Sequence, residues 1–365
     1  MEKTNAVTKN SELSSILETH FKEKINLARI KFMAHFITSL CKLRTVNFEM
    51  LANGFVTGTK KESSLRRIQR FIAEYAFDRD IIARLVFNLL PQQDDLTLTI
   101  DRTNWKFGQA NINIFMLGIV YQGVAFPLLF SMLPKRGNSN TKERIELIER
   151  FINLFGKERI ECLVADREFV GRPWLEYLNH NNIRYHIRIR NNFKVFLPHK
   201  QKEIKAEHLF HNLSFGAFKY YEKIVRVNGE LCYLSGQRTR DKKGRPEFLI
   251  LVSFNKPQES QCCYAQRWQI EMCFKAMKSS GFDLERTHLQ DPKRIEKLIL
   301  LIMVAFTWCY KIGIYLHENV MPIKVKPHGR KAKSIFRYGL DYLNNLLLNT
   351  DKQDDISIFK FLSCT

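Results

Sequence analysis

Apolar and polar positions along this chain follow first a helical rhythm, then a strand rhythm, then a helical one again. From Ser11 to Leu43, Ile16, Phe21, Ile25, Ala28 and Phe32 recur at helical intervals with Lys and Arg between them, and the residues up to about 10 read as a polar, frayed lead. GFVTGTKKESS, opening at Gly54, is a turn region. A second helical stretch runs from Ser64 to Leu90. Leu65, Ile68 and Ile72 form its apolar face, and Arg66, Arg67 and Arg70 a basic one. A basic face on a helix that opens with Ser-Ser suits DNA, and it equally describes an ordinary solvated face. Pro91 closes this all-helical unit.

The rhythm then shortens to two. Leu96 to Ile100 alternates and predicts a strand with Asp101 at its C-terminal end. Residues 112–121 predict a second strand, Gln122-Gly123 a tight turn, and Val124 to Met132 a third strand. A helix is predicted from Thr141 to Phe155, with Ile145, Ile148, Phe151, Ile152 and Phe155 on one face. A strand from Glu161 to Ala165 runs into Asp166, followed by a helix around Pro173 to Leu178 and a strand from Tyr185 to Ile189. This order places Asp101 and Asp166 side by side. Arg188 and Arg190 share one face of the last strand, a candidate DNA contact. Residues from about 191 to 245 alternate, are basic and turn-rich, and read as a β insertion; Phe248 to Phe254 returns to the core as a strand.

Gln261 to Leu289 predicts an amphipathic helix. Tyr264, Arg267, Glu271 and Lys278 fall near one stripe, and Ile270, Phe274 and Met277 form an apolar stripe beside it. Spacing alone fits an ordinary surface helix laced with charged pairs. Ile295 to Leu316 predicts an apolar helix. Its uncharged run, Leu298 to Tyr310, falls short of the ~20 residues a bilayer needs, so a buried core helix and no membrane association are expected. A basic segment from Lys324 to Lys333 precedes a final helix, Ser334 to Leu348.

Charge changes this picture more than composition does. Lys and Arg number 58 against 37 Asp and Glu, a formal net charge of +21, which favours a polyanion; membrane surfaces and acidic proteins also attract such a chain. The eight cysteines include no C-x-x-C pair, adjacent Cys262 and Cys263 do not fit a zinc pattern, and the ten histidines show no ligand spacing. The cysteines read as reduced core thiols of a cytosolic protein. The first residues lack the apolar run of a secretory signal.

Three acids remain: Asp101, Asp166 and Glu271. Cleaving a phosphodiester needs charge stabilisation on the attacking and leaving oxygens, which two divalent ions held by a few carboxylates supply. Mg²⁺ takes oxygen ligands and keeps waters, so three acids suffice without His or Cys. With Tyr264, Arg267, Glu271 and Lys278 matching a Y-x2-R-x3-E-x6-K signature, and Asp101 in TIDRTNW and Asp166 in VADREF, the chain resembles DDE transposases of bacterial insertion sequences, in the family-four group. The resemblance covers roughly residues 60 to 310.

It implies an α/β fold: an RNase H-like catalytic core over 92–290 with a β-rich insertion at 191–247, an all-helical N-terminal DNA-binding unit at 1–91 and a helical C-terminal region at 291–365. It implies that Asp101, Asp166 and Glu271 bind two Mg²⁺ ions, with Mn²⁺ able to substitute. Tyr264, Arg267 and Lys278 would hold the DNA strand. Double-stranded DNA at the element's ends and in the target would be the partner, and a homodimer would pair two ends in a bacterial cytoplasmic, nucleoid-associated complex. The product would be cleavage at the ends and strand transfer into target DNA. The alternative is a catalytically inactive transposase-derived DNA-binding protein or repressor. Trp268 matches a position used in relatives that flip a base, whereas the insertion, unlike theirs, has no Trp. Glu168 is expected to pair with Arg167, and Trp105, Trp174 and Trp308 to lie in the core.

Overall fold

The computed structural model describes residues 2–55, 58–241, 243–327, 329–349 and 356–363. Cys364 and part of the turn after Gly54 lie outside them. Five helices open the chain: α1 (Glu2–Phe21), α2 (Leu27–Leu43), α3 (Phe48–Asn53), α4 (Lys61–Glu74) and α5 (Arg79–Asn88). Helix thus begins at Glu2, where a frayed lead was expected. Each predicted long helix is two. Asn26 caps α2 by accepting from the Ala28 amide at 2.8 Å, and Asp78 caps α5 by accepting from Asp80 at 2.8 Å. Each cap opens the helix that follows it; α1 has already ended at Phe21 and α4 at Glu74.

Ten strands then build one mixed sheet: β1 (Leu96–Phe107), β2 (Ala110–Tyr121), β3 (Val124–Met132), β4 (Ile160–Ala165), β5 (Tyr185–Ile189), β6 (Lys194–Leu197), β7 (Lys202–Lys205), β8 (Phe218–Val227), β9 (Glu230–Arg240) and β10 (Pro246–Ser253). Their order is β3-β2-β1-β4-β5-β10-β9-β8-β6-β7. β1, β2 and β3 pair antiparallel, while β1–β4 and β4–β5 are parallel, consistent with an RNase H-like core. The β-rich insertion extends this sheet outward from β10. Gln122 and Gly123 both adopt positive φ, 42° and 94°, which matches the twist of a two-residue hairpin.

Helix α6 (Thr141–Phe155) starts on a capping box: Asn140 accepts from the Glu143 amide and Glu143 accepts from the Asn140 amide. It buries Leu147, Ile148 and Phe151 and packs on β3 and on α7 (Arg172–His180). After β10 come α8 (Ser260–Ala265), α9 (Trp268–Lys278), α10 (Pro292–Tyr315) and α11 (Ile335–Leu348). α9 lies across β1, β2 and β3, and α10 packs on β3, α2 and α11. α10 is apolar enough to span a bilayer by composition, yet 89% of its most apolar window is buried inside the protein. One apolar cluster joins both helical ends to the sheet. Trp174 and Trp308 are fully buried in it.

Candidate active site

The β1–β4 ladder ends at Ile100 opposite Ala165, so Asp101 and Asp166 are the next residue on each of two adjacent parallel strands. Asp101 is not at the end of its strand, as the alternation suggested. β1 continues to Phe107 because β2 goes on pairing with it, Asp101 opposite Met116 and Phe107 opposite Ala110. β4 stops, and the notch this leaves beside β1 holds the acids. Each aspartate accepts from the backbone amide of the next residue at 2.7 Å, Asp101 from Arg102 and Asp166 from Arg167.

The predicted helix from Gln261 to Leu289 is broken in the structure. α8 ends at Ala265 and α9 starts at Trp268, with Gln266 and Arg267 between them. There the amides of Gln266, Arg267, Gln269 and Ile270 reach three residues back, to Cys263, Tyr264, Gln266 and Arg267. A turn wound this tightly eclipses residues three apart. Tyr264 and Arg267 accordingly stack, with the guanidinium 5.7 Å from the ring centroid. Gln269 anchors α9 by accepting from the Tyr121 amide on β2 at 3.0 Å.

Arg267 is the centre of the arrangement. It is 9% exposed, and it donates to Glu271 at 2.7 Å and reaches Asp101 at 3.4 Å. Burial works against its charge, but Tyr264, Glu271, Asp166 and Asp101 outweigh that and raise its pKa. Asp166 also acts electrostatically on Tyr264, whose own pKa is raised chiefly by burial. Asp101 is pushed from 3.8 to about 6, first by desolvation; the Arg102 amide and Arg267 oppose this, and Glu168 and Glu271 add to it. Lys278 lies farther along α9. It donates to Thr103 at 3.0 Å, pairs with Glu285 at 2.5 Å and sits 5.4 Å from the Trp105 ring centroid. Trp105 is thus half-buried beneath this lysine and not in the core proper.

Glu168 pairs with Arg102, not with Arg167, through contacts of 2.7 and 2.9 Å. Arg167 is exposed, whereas Arg102 lies on the neighbouring strand and also donates to Asn113, Asn138 and the Gly137 carbonyl. Arg144 on α6 donates to the Glu168 carbonyl at 2.9 Å. Arg102 and Arg144 therefore fix the turn after Asp166, a role no local sequence signal discloses.

The remaining candidates are dispersed. Trp268 follows Arg267 at 58% exposure. Arg188 on β5 is paired with Glu247 at 2.6 Å. Arg66 and Arg70 are exposed and Arg67 half-buried; with Arg294 they line one depression on the helical side. In the insertion, Phe215 is exposed and carries Arg238 and Arg240 over its ring at 4.5 and 4.2 Å.

The family profile described as a transposase DDE domain matches residues 93–308, more than half of the chain and the whole of the segment that carries the three acids. The protein belongs to the DDE transposases. That superfamily includes nucleic-acid-cleaving enzymes, and the mixed sheet flanked by helices at both ends agrees with its general architecture. No curated protein matches the sequence. A solved structure of endonuclease V from Bacillus subtilis is similar at 13% identity over 68% of this chain and 94% of that one, with a TM-score of 0.26, and at that score it carries no argument.

The acids of this DDE transposase suit divalent cations in chemistry. Asp101 is a carboxylate whose ionised form is disfavoured by burial and by neighbouring acids, a strain that a bound cation would relieve. Among the described residues the three acids do not bring three ligand oxygens within 4.8 Å of one another; the Arg267 guanidinium stands between Asp101 and Glu271.

Proposed function

We propose that this chain is a metal-dependent transposase of the family-four group, cutting DNA at the ends of an insertion sequence and joining the freed 3′ end to target DNA. The observation that carries this reading is Arg267, buried and shared between Asp101 and Glu271, with Asp166 one strand away. Asp101, Asp166 and Glu271 would hold two Mg²⁺ ions, or Mn²⁺, which supply charge stabilisation on the attacking and leaving oxygens. Arg267 neutralises these acids in the free protein and turns to a phosphate of the bound strand, a group its planar fork fits in the same two-pronged way. Tyr264 supports that guanidinium from below, and Lys278, tethered at Thr103, offers a point charge farther along the strand. Trp268 presents an exposed ring to a base displaced near the cut. The N-terminal unit, 1–91, contributes Arg66, Arg67 and Arg70 to duplex binding, and two chains pair two ends.

The test is incubation of the purified protein with Mg²⁺ and DNA carrying the element's ends. Cleavage and joining are expected from the parent and not from Asp101→Ala or Glu271→Ala. Variants that cut and join as well as the parent would overturn the roles given to these acids. Binding by the parent without nicking in Mg²⁺ or Mn²⁺ would favour an inactive, DNA-binding derivative.

A further inference from the structure

β4, β5 and α8 bring together two thiols and an imidazole. Cys162, His186 and Cys263 each offer one ligand atom, and the three atoms lie within 4.8 Å of one another. They are separated by long stretches of chain, so no motif announces them. Cys162 and His186 are buried and Cys263 is half-buried, so the cluster is closed on the sheet side and reaches solvent beside α8. The two cysteines are free thiols. His186 Nδ1 bonds the Ser253 hydroxyl at 2.8 Å, which fixes the ring. Its Nε2, in a fully buried side chain, makes no well-formed hydrogen bond, and the Cys263 sulfur is the polar group that reaches the ring. A metal-ligating histidine is commonly oriented by a hydrogen bond at its second ring nitrogen, and here the Ser253 hydroxyl is in place to provide it.

The donor set selects the ion. Two sulfurs and an imidazole suit a soft or borderline cation and not Mg²⁺, and two thiolates with a neutral imidazole balance a divalent charge. Hydrogen bonds with the Cys162 thiol first and then with His186 hold the Cys263 thiol below its ordinary value, against the opposing effect of burial. Metal binding would displace the remaining thiol proton.

The geometry points to a zinc site: Cys162, His186 and Cys263 bind one Zn²⁺ ion, with Ser253 orienting the histidine and water at the remaining position. Its place in the fold gives it a positioning role. Cys162 lies four residues before Asp166 on β4, His186 two before Arg188 on β5, and Cys263 immediately before Tyr264. The ion ties the short helix α8 to two parallel strands, and so holds Tyr264 and Arg267 in register with Asp166.

The full chain, expressed with zinc and dialysed free of loose metal, is expected to carry about one zinc per chain by elemental analysis. Replacing it with Co²⁺ is expected to give sulfur-to-cobalt charge-transfer absorption and the intense visible bands of a tetrahedral site. Ser253→Ala keeps all three ligands and is expected to weaken Co²⁺ binding ~10–100-fold, and Cys263→Ser to remove most of the charge-transfer band. Metal-free protein that takes up Co²⁺ without that band overturns the site, as does a Cys162–Cys263 disulfide in protein purified without oxidant. Where a variant does not fold, X-ray absorption at the zinc edge of the parent decides alone, by showing or lacking two sulfur ligands. No arm depends on DNA cleavage, so the site and the transposase reading stand or fall separately.

Discussion

Replacing Asp101 by Asn should make the protein more stable while abolishing the DNA cleavage proposed for it. The side chain is 18% exposed, and burial has moved its pKa from 3.8 to about 6. At ~1.4 kcal/mol per pH unit, that difference costs the folded state ~3 kcal/mol once the group is ionised. The sign follows from the direction. A carboxyl whose folded pKa is raised imposes no penalty below its unfolded value near 3.8, and the full penalty once pH has passed about 6. Asn keeps the acceptor for the Arg102 amide, and the attraction of Arg267 for the carboxylate is already included in that shift. A gain of up to ~3 kcal/mol at pH 8 is therefore expected. Urea unfolding of parent and variant at pH 4 and pH 8, both in chelator, measures it as a difference in which other titrating groups cancel. The gap should be absent or reversed at pH 4 and open between pH 4 and 6. If Asp101 holds Mg²⁺ as proposed, saturating Mg²⁺ should narrow it, because a bound cation would stabilise only the parent's carboxylate. A variant less stable than the parent at pH 8, or a gap that does not change with pH, would refute the account of Asp101 as a strained carboxylate.

Two further substitutions probe the surroundings. Arg102→Ala leaves Glu168 charged and largely buried, the pair being 12% and 20% exposed, so a loss of ~3–5 kcal/mol is expected in urea unfolding. A loss below ~1 kcal/mol would mean that Arg102 does not hold the turn after Asp166. Arg66→Ala with Arg70→Ala is expected to weaken duplex binding, read by fluorescence anisotropy, and to lower its salt slope by ~2. An unchanged slope would remove α4 from the interface.

How much of this was readable in the chain depends on where each constraint lies. α6 was legible end to end because its cap, capping box and apolar stripe are all local. The starts of α2 and α5 were equally local, in Asn26 and Asp78, but the apolar rhythm runs across both breaks and masked them. β1 read short because LTLTI stops alternating at Asp101. Its continuation is imposed by β2, which pairs with every residue from Leu98 to Phe107. No Gly, Pro or capping residue marks the break at Gln266 and Arg267. There the buried Tyr264 and Arg267 fix the backbone from the tertiary side, a constraint a helical wheel cannot carry.

The same division explains the site. Asp101, Asp166 and Glu271 were found because strand order and one spaced signature place them, and both are one-dimensional information. Arg102 with Glu168, and Cys162 with His186 and Cys263, join residues whose partners lie on other strands and carry no spacing rule. Two contacts that no spacing announces nonetheless bear on the acids that were read. Arg102 fixes the turn after Asp166 to β1. Arg267, drawn inward by the tightened turn, leaves Asp101 with only a long contact at 3.4 Å while holding Glu271 at 2.7 Å. Had α8 and α9 formed one straight helix, Tyr264 and Arg267 would not eclipse, and the guanidinium would lose its support beside Asp101. The break that the sequence conceals is therefore what makes the spaced signature a site.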